Sequence, residues 1–230
     1  MATSLKEIKM ITVHHLEDSR SQRILWLLES LGLEYEVVRY ERDKKTSLAP
    51  KELLKVHPLG KSPVITDDGM TLAESGAIFE YLLQKYDNKN QLRPSSTSAK
   101  FPNYLFWLHF AEGSLMWPLV IRLLHQKVIE KAPFPISSAA KLIFLGIEKA
   151  YLSQTIKQAL DYAELSLQKN KFFLGDEISA ADIMMSFPLQ AACSGRSNME
   201  NYPKIKNFVA EIKKDPNYIK AIEVGGEFSY

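Results

Sequence analysis

Three short stretches carry side chains whose types and spacing could do chemistry. Glu17-Asp18-Ser19-Arg20-Ser21 joins a β-rich run to an amphipathic helix, so hydroxyls and amides gather at a helix N-terminus. Unpaired donors and the helix dipole favour an anion at such an end. Ser19 also fits as the N-cap of that helix. Further on, Leu59-Gly60-Lys61-Ser62-Pro63-Val64-Ile65 leads to Asp68-Gly69, a hairpin signal between two apolar runs. Pro63 has no N–H and belongs at the start or edge of a strand. A cis bond before it would aim the N–H and C=O of Val64 outward. Glu74-Ser75 then opens a stretch with helical spacing. Free backbone groups beside a helix N-terminus could hold an extended peptide carrying a carboxylate. The same residues also fit an ordinary hairpin with a proline at its entrance.

Other chemistries lack their residues. No GxGxxG follows a strand, no Walker loop is present, and there is no HExxH. His14 and His15 are adjacent at a strand end and face opposite sides, which suits no shared metal. His57, His109 and His125 are scattered and read as surface or packing residues, so no metal site is expected. Cys193 is the single cysteine and reads as a small core residue of an apolar helix. One thiol allows neither an intrachain disulfide nor a CxxC dithiol, and it fits a reducing compartment.

The elements that must position these residues fall into two kinds. Met10–Val13 and Tyr35–Tyr40 read as strands, with a helix between them carrying Ile24, Leu27, Leu28 and Leu31 and stopping at Gly32. Glu41–Ser47 is charged and solvated, and Pro50 starts a short helix. With the hairpin and its helix, the order is β-α-β-α-β-β-α, a mixed sheet covered on its faces. Asp87–Lys100 shifts to Asn, Lys, Ser, Thr and Pro, which marks a linker. Beyond it there are only helix patterns: 101–127 with a bend at Pro118, a long helix with Leu145, Leu152, Ile156, Ala163 and Leu167 on one face, then 180–192, 204–214 and 216–223. Ser179-Ala180-Ala181-Asp182 is spaced as a capping box, with Ile178 and Ile183 as its hydrophobic staple.

The 230 residues suffice for a sizeable core, and a net charge of +2 argues for neither nucleic acid nor an acidic membrane. Residues Met1–Glu7 lack the apolar core of a signal peptide, and no apolar run reaches the roughly 18 residues of a membrane span. A soluble, cytoplasmic protein is the expectation.

Taken together, the motifs resemble those of the cytosolic glutathione transferases, over nearly the whole chain. Arg23–Glu29 with Gly32–Glu36 resembles the family's first helix and second strand. His57–Ile65 resembles its NPxGxxPxL segment with His57 in place of Asn, Leu72–Ile78 its LxESxAI helix start, and Phe173–Asp182 its capping-box motif. Ser19–Arg23 is most similar to the fungal and bacterial members.

The resemblance implies a thioredoxin-like α/β domain over 8–88, a linker over 89–100, and an all-α helical bundle over 101–230. It implies glutathione as co-substrate with no other cofactor, a homodimer, and a detoxifying transfer of the thiol to a small apolar electrophile, with peroxidase activity as a second reaction. It further implies that Pro63 is cis, that the backbone of Val64 pairs with the cysteinyl unit, and that Glu74 and Ser75 hold the γ-glutamyl end. Lys61 would meet the glycyl carboxylate, and Ser19, or alternatively Arg20 or Ser21, the thiolate. The electrophile would lodge between the domains against Tyr104, Trp107, Phe110 and Trp117, with the Pro-rich segment 131–138 as its cover. Many relatives carry a Tyr in the first loop and others a Ser or Cys; this chain has no Tyr before Tyr35. A glutathione-binding protein without catalysis, and a fold kept for assembly alone, are the alternatives.

Overall fold

β-branched and aromatic residues build one four-stranded sheet in the order β2-β1-β3-β4, from β1 (Ile11–Leu16), β2 (Tyr35–Tyr40), β3 (Val64–Asp67) and β4 (Met70–Ala73). The structure is a computed structural model and describes residues 10–227. β1 and β2 are parallel because α1 (Gln22–Leu31) crosses between them; β3 is antiparallel to both β1 and β4. The hairpin turns on Asp68 (φ 49°) and Gly69 (φ 81°), the paired positive φ values that a two-residue turn needs to match strand twist. α1 stops at Gly32, whose φ of 66° lets its N–H turn back onto the helix's last carbonyls. α2 (Leu53–Val56) and α3 (Ser75–Tyr86) complete the expected order.

The chain divides into two units. One runs to Gln91 and takes back the segment from Lys214; the other is Leu92–Lys213. The last helix, α10 (Pro216–Gly225), therefore lies with the first unit and outside the helical bundle expected over 101–230. The reason is local to α1. Trp26 Nε1 donates to Asp215 Oδ1 at 3.0 Å, the Trp26 ring meets Tyr218 edge-on, and Gln22 Nε2 donates to the Ala221 carbonyl at 2.6 Å. Helical periodicity identifies α10 but says nothing of which unit buries it. The expected linker is divided too, since the Leu92 carbonyl accepts from the Ala180 N–H inside the second unit. Residues 8–9 and 228–230 of the expected spans, and Met1–Glu7, lie outside the described residues.

The second unit holds α4 (Phe101–Phe110), α5 (Trp117–Lys131), α6 (Ile136–Ile147), α7 (Ser153–Leu167), α8 (Ala180–Ala191) and α9 (Pro203–Ile212). π-helical stretches join α4 to α5 (Ala111–Met116) and α6 to α7 (Glu148–Leu152), and a third follows α8. One inserted residue rotates the next helical turns by about 100°. Leu145 therefore does not share the face of Leu152, Ile156, Ala163 and Leu167: it is exposed and they are buried. Pro118 comes just after the first π-helical stretch, so the register changes where its missing N–H would interrupt the ladder. A cis bond, Phe134–Pro135, precedes α6.

Two buried carboxylates tie this unit together. Asp182 closes the capping box of α8, and Glu164 of α7 accepts the N–H groups of Lys204 and Ile205 at the start of α9, both at 2.9 Å. Hydrogen bonds to a charged acceptor contribute about 1.5–3 kcal/mol each, and a helix end can recover part of that from water. Glu164→Ala is expected to cost about 2–3 kcal/mol and to lower the thermal midpoint by about 4–12 °C. An unchanged melting curve would show that α9 does not depend on this cap. Among the described residues, no helix is long and apolar enough to cross a membrane.

Candidate active site

The ends of β1, β3 and β4 that lie beside Leu16, Val64 and Ala73 are one end of the sheet, as the registers His14↔Val64 and Val64↔Ala73 require. The loop from β1 to α1 and the start of α3 open at this same end. Arg42 holds the loop from outside: its N–H donates to Glu17 Oε1, and its guanidinium to the carbonyls of Glu17, Asp18 and Ser47. The segment expected to be merely solvated thus anchors the site's first loop. No sequence pattern announces this, because the contact depends on β2 lying beside β1.

Ser19 and Ser21 point inward from that loop and are buried. Ser19 Oγ lies 2.7 Å from Ser21 Oγ and accepts the Ser21 N–H at 3.2 Å. Ser21 Oγ is 2.9 Å from Nδ1 of His15, whose Nε2 faces the Gly225 carbonyl at 2.9 Å. Ser21, not Ser19, takes the N-cap position, and no side chain caps α1. The first amides of α1 are largely consumed: Gln22 and Arg23 donate to the carbonyls of Ser19 and Arg20. The donor-rich helix end expected here is therefore narrower than the sequence implied, and the hydroxyls carry the chemistry.

β3 corrects a second expectation. It lies inside the sheet with β1 on one side and β4 on the other, and Val64 is registered against both and fully buried. Val64 thus presents no edge to an added strand. The unpaired groups belong to Ser62, whose carbonyl carbon forms the cis bond to Pro63. Pro63 cannot extend the ladder to β1, and Ser62 completes it with its side chain. Its Oγ donates to the His14 carbonyl at 2.9 Å and accepts the Leu16 N–H at 3.3 Å. With the side chain so engaged, the Ser62 N–H and C=O take no partner among the described residues. Sequence offered no sign of this, because it follows from where the antiparallel ladder runs out.

α3 supplies the anion-binding end. Its first three N–H groups, on Ser75, Gly76 and Ala77, have no partner among the described residues; the first helical bond is Ile78 N–H to the Glu74 carbonyl. Buried Arg23 donates from Nη2 to Ser75 Oγ at 3.1 Å. Because that oxygen already accepts, the Ser75 hydroxyl hydrogen is left to donate outward. Glu74 is exposed at φ 74°, a positive φ unusual for a non-glycine residue. Lys61 is exposed and forms no ion pair among the described residues.

The aromatic candidates separate. Tyr104 and Trp107 are fully buried within the helical unit, Trp107 packed against Tyr162 and Phe173, so neither can line a binding surface. Phe110 and Trp117 are half-buried. Cys193 is half-buried too, outside the core expected for it, and burial pushes its thiol above the ordinary range.

Residues 8–84 match the family model of the glutathione S-transferase N-terminal domain, and residues 145–221 that of the C-terminal domain. Glutathione S-transferase 1 of Saccharomyces cerevisiae is 40% identical over 96% of this chain and 99% of its own. The chain belongs to the glutathione S-transferase family. A crystal structure of a glutathione S-transferase from Actinobacillus pleuropneumoniae, 33% identical, superposes with a TM-score of 0.78 over 95% of this chain and 94% of that one. The glutathione transferase URE2P6 of Phanerochaete chrysosporium, in complex with oxidized glutathione, shares the fold at 23% identity, with a TM-score of 0.74 over 96% and 98% of the two chains. The transferase is thus of the fungal type, with a thioredoxin-like unit followed by helices, and it is an enzyme of glutathione.

Proposed function

We propose that this transferase clamps glutathione at the sheet end beside Leu16, Val64 and Ala73 and ionises its thiol for attack on a small apolar electrophile. The observation that carries the reading is the pairing of an unengaged Ser62 backbone with the unpaired amides of α3. The cysteinyl unit aligns with the Ser62 N–H and C=O as a short added strand. The γ-glutamyl carboxylate meets the Ser75 hydroxyl and the amides of α3, with Arg23 buried behind them. Glu74 faces the ammonium, and Lys61 the glycyl carboxylate. The thiol rests against Ser19, where Arg20 and Ser21 are the neighbouring alternatives.

Ionisation is the purpose of the arrangement. A free thiol is only a few per cent thiolate near pH 7, and each unit of lowered pKa is about 1.36 kcal/mol. A site that supplies a few kcal/mol makes the nucleophile dominant at neutral pH, so the enzyme needs no nucleophile of its own. Peroxide reduction can use the same thiolate. Phe110 and Trp117 are the aromatics left to meet the second substrate. The protein acts as a cytoplasmic homodimer in this reading.

Glu74→Gln tests the clamp. The Glu74 carboxylate has no partner among the described residues, so the thermal midpoint should not move. Loss of a charge-assisted bond to the ammonium should weaken glutathione binding roughly tenfold or more, read by calorimetry and as a higher KM in turnover with a chloronitrobenzene. Unchanged affinity would remove Glu74 from the site. Glutathione binding without turnover would favour the binding-protein alternative.

A further inference from the structure

Ser19, Ser21 and His15 form a continuous line of hydrogen bonds running inward from the loop. Its polarity can be worked out from the far end. The Gly225 carbonyl can only accept, so Nε2 of His15 carries a hydrogen. Burial lowers the ring from the ordinary histidine range, and the charge of Arg39 adds to that effect, which favours the neutral ring at neutral pH. Nδ1 is then an acceptor, and Ser21 donates its hydroxyl hydrogen to it at 2.9 Å rather than to the Leu16 carbonyl, the longer contact at 3.3 Å. With that hydrogen used, Ser19 donates to Ser21. Both hydroxyl hydrogens run away from the thiol's side, which leaves Ser19 Oγ a poor donor to a thiolate but an acceptor for S–H.

We infer that, on the reading that the glutathione thiol meets Ser19, its proton leaves through Ser19 and Ser21 and is held at Nδ1 of His15. The S–H bond breaks and its electron pair stays on sulfur. Ser19 Oγ gains that hydrogen and passes its own to Ser21 Oγ, and Ser21 passes its own to Nδ1. One S–H bond is lost, one N–H bond is formed, and each oxygen exchanges one O–H for another. The hydroxyl hydrogens now run outward, so Ser19 donates to the thiolate it has just produced. The groups facing the ring are Ser21 from the α1 loop, the Gly225 carbonyl from α10 and Arg39 on β2. Burial, the largest effect, and Arg39 oppose the imidazolium, the Gly225 carbonyl favours it, and the thiolate at the other end of the line supplies the compensating charge. His15 acts through Ser21 and touches no substrate atom.

Proton counting separates this from simple donation by Ser19. Glutathione is added to the protein at neutral pH in weak buffer, and thiolate absorbance and proton release are followed together. S-methylglutathione, which has no thiol hydrogen, supplies the baseline. The wild type is expected to form thiolate with little proton release above that baseline. His15→Gln, and Ser21→Ala should the first variant fold poorly, are expected to release one proton for each thiolate formed. Release of one proton per thiolate by the wild type would overturn the relay and leave Ser19 as an ordinary donor. Absence of thiolate in the wild type, or full thiolate in Ser19→Ala, would overturn the placement of the thiol and the relay with it.

Discussion

Asp182→Ala is expected to destabilise the helical unit by about 3–5 kcal/mol, a large fraction of the about 5–15 kcal/mol that holds a typical domain folded. The carboxylate is fully buried and accepts three hydrogen bonds: from Phe173 N–H at 2.8 Å, Ser179 N–H at 2.9 Å and Ser179 Oγ at 2.5 Å. Alanine leaves two backbone donors and a hydroxyl without an acceptor at the start of α8, whose every residue is buried. Urea unfolding should show a lower midpoint with little change in slope. A shift of only a few tenths of a kcal/mol would mean that water replaces the carboxylate.

The same carboxyl gives a signed pH dependence. Burial outweighs its hydrogen bonds and pushes it up to about 6. The folded chain therefore binds this proton more tightly than the unfolded chain does. The stability linked to it is present below the ordinary carboxylate range and is lost as pH rises through about 6. Asp182→Asn should remove that slope, seen by comparing unfolding at about pH 4 and pH 7 against the wild type. An identical slope in the two proteins would assign it to another group.

Ser19→Ala is expected to lower kcat/KM for conjugation about tenfold to a hundredfold. A hydrogen bond to a charged group is worth about 1.5–3 kcal/mol, and here it is made to the reacting thiolate. The loss should fall on kcat, and the pH–rate profile should move upward as the bound thiol becomes harder to ionise. Affinity for S-methylglutathione should hold, because the clamp on Ser62, Glu74 and Ser75 is untouched. Full activity in Ser19→Ala would move the thiol contact to Arg20 or Ser21.

The sequence was most legible where a local rule has a single solution. Asp68-Gly69 turns the hairpin, Gly32 ends α1, and Ser179 with Asp182 caps α8. It was least legible where tertiary geometry decides. The motif pointed to Val64, yet Val64 is enclosed between two strands, and the free backbone belongs to Ser62, whose side chain replaces the ladder bonds that Pro63 cannot make. Tyr104 and Trp107 sit at helical spacing that suits a core as well as a pocket, and the core claims them. Leu145 failed because a π-helical turn separates its helix from α7, and α6 buries none of its residues. Arg23 and Arg42 hold the site through contacts between elements distant in sequence, where no spacing rule reaches.

A crystal structure with glutathione bound tests the central claim most directly. The account predicts the cysteinyl N–H and C=O paired with the backbone of Ser62, the γ-glutamyl carboxylate on the first amides of α3, and the sulfur within hydrogen-bond reach of Ser19 Oγ. A tripeptide lying elsewhere, or a sulfur turned away from the Ser19–Ser21 loop, would contradict it.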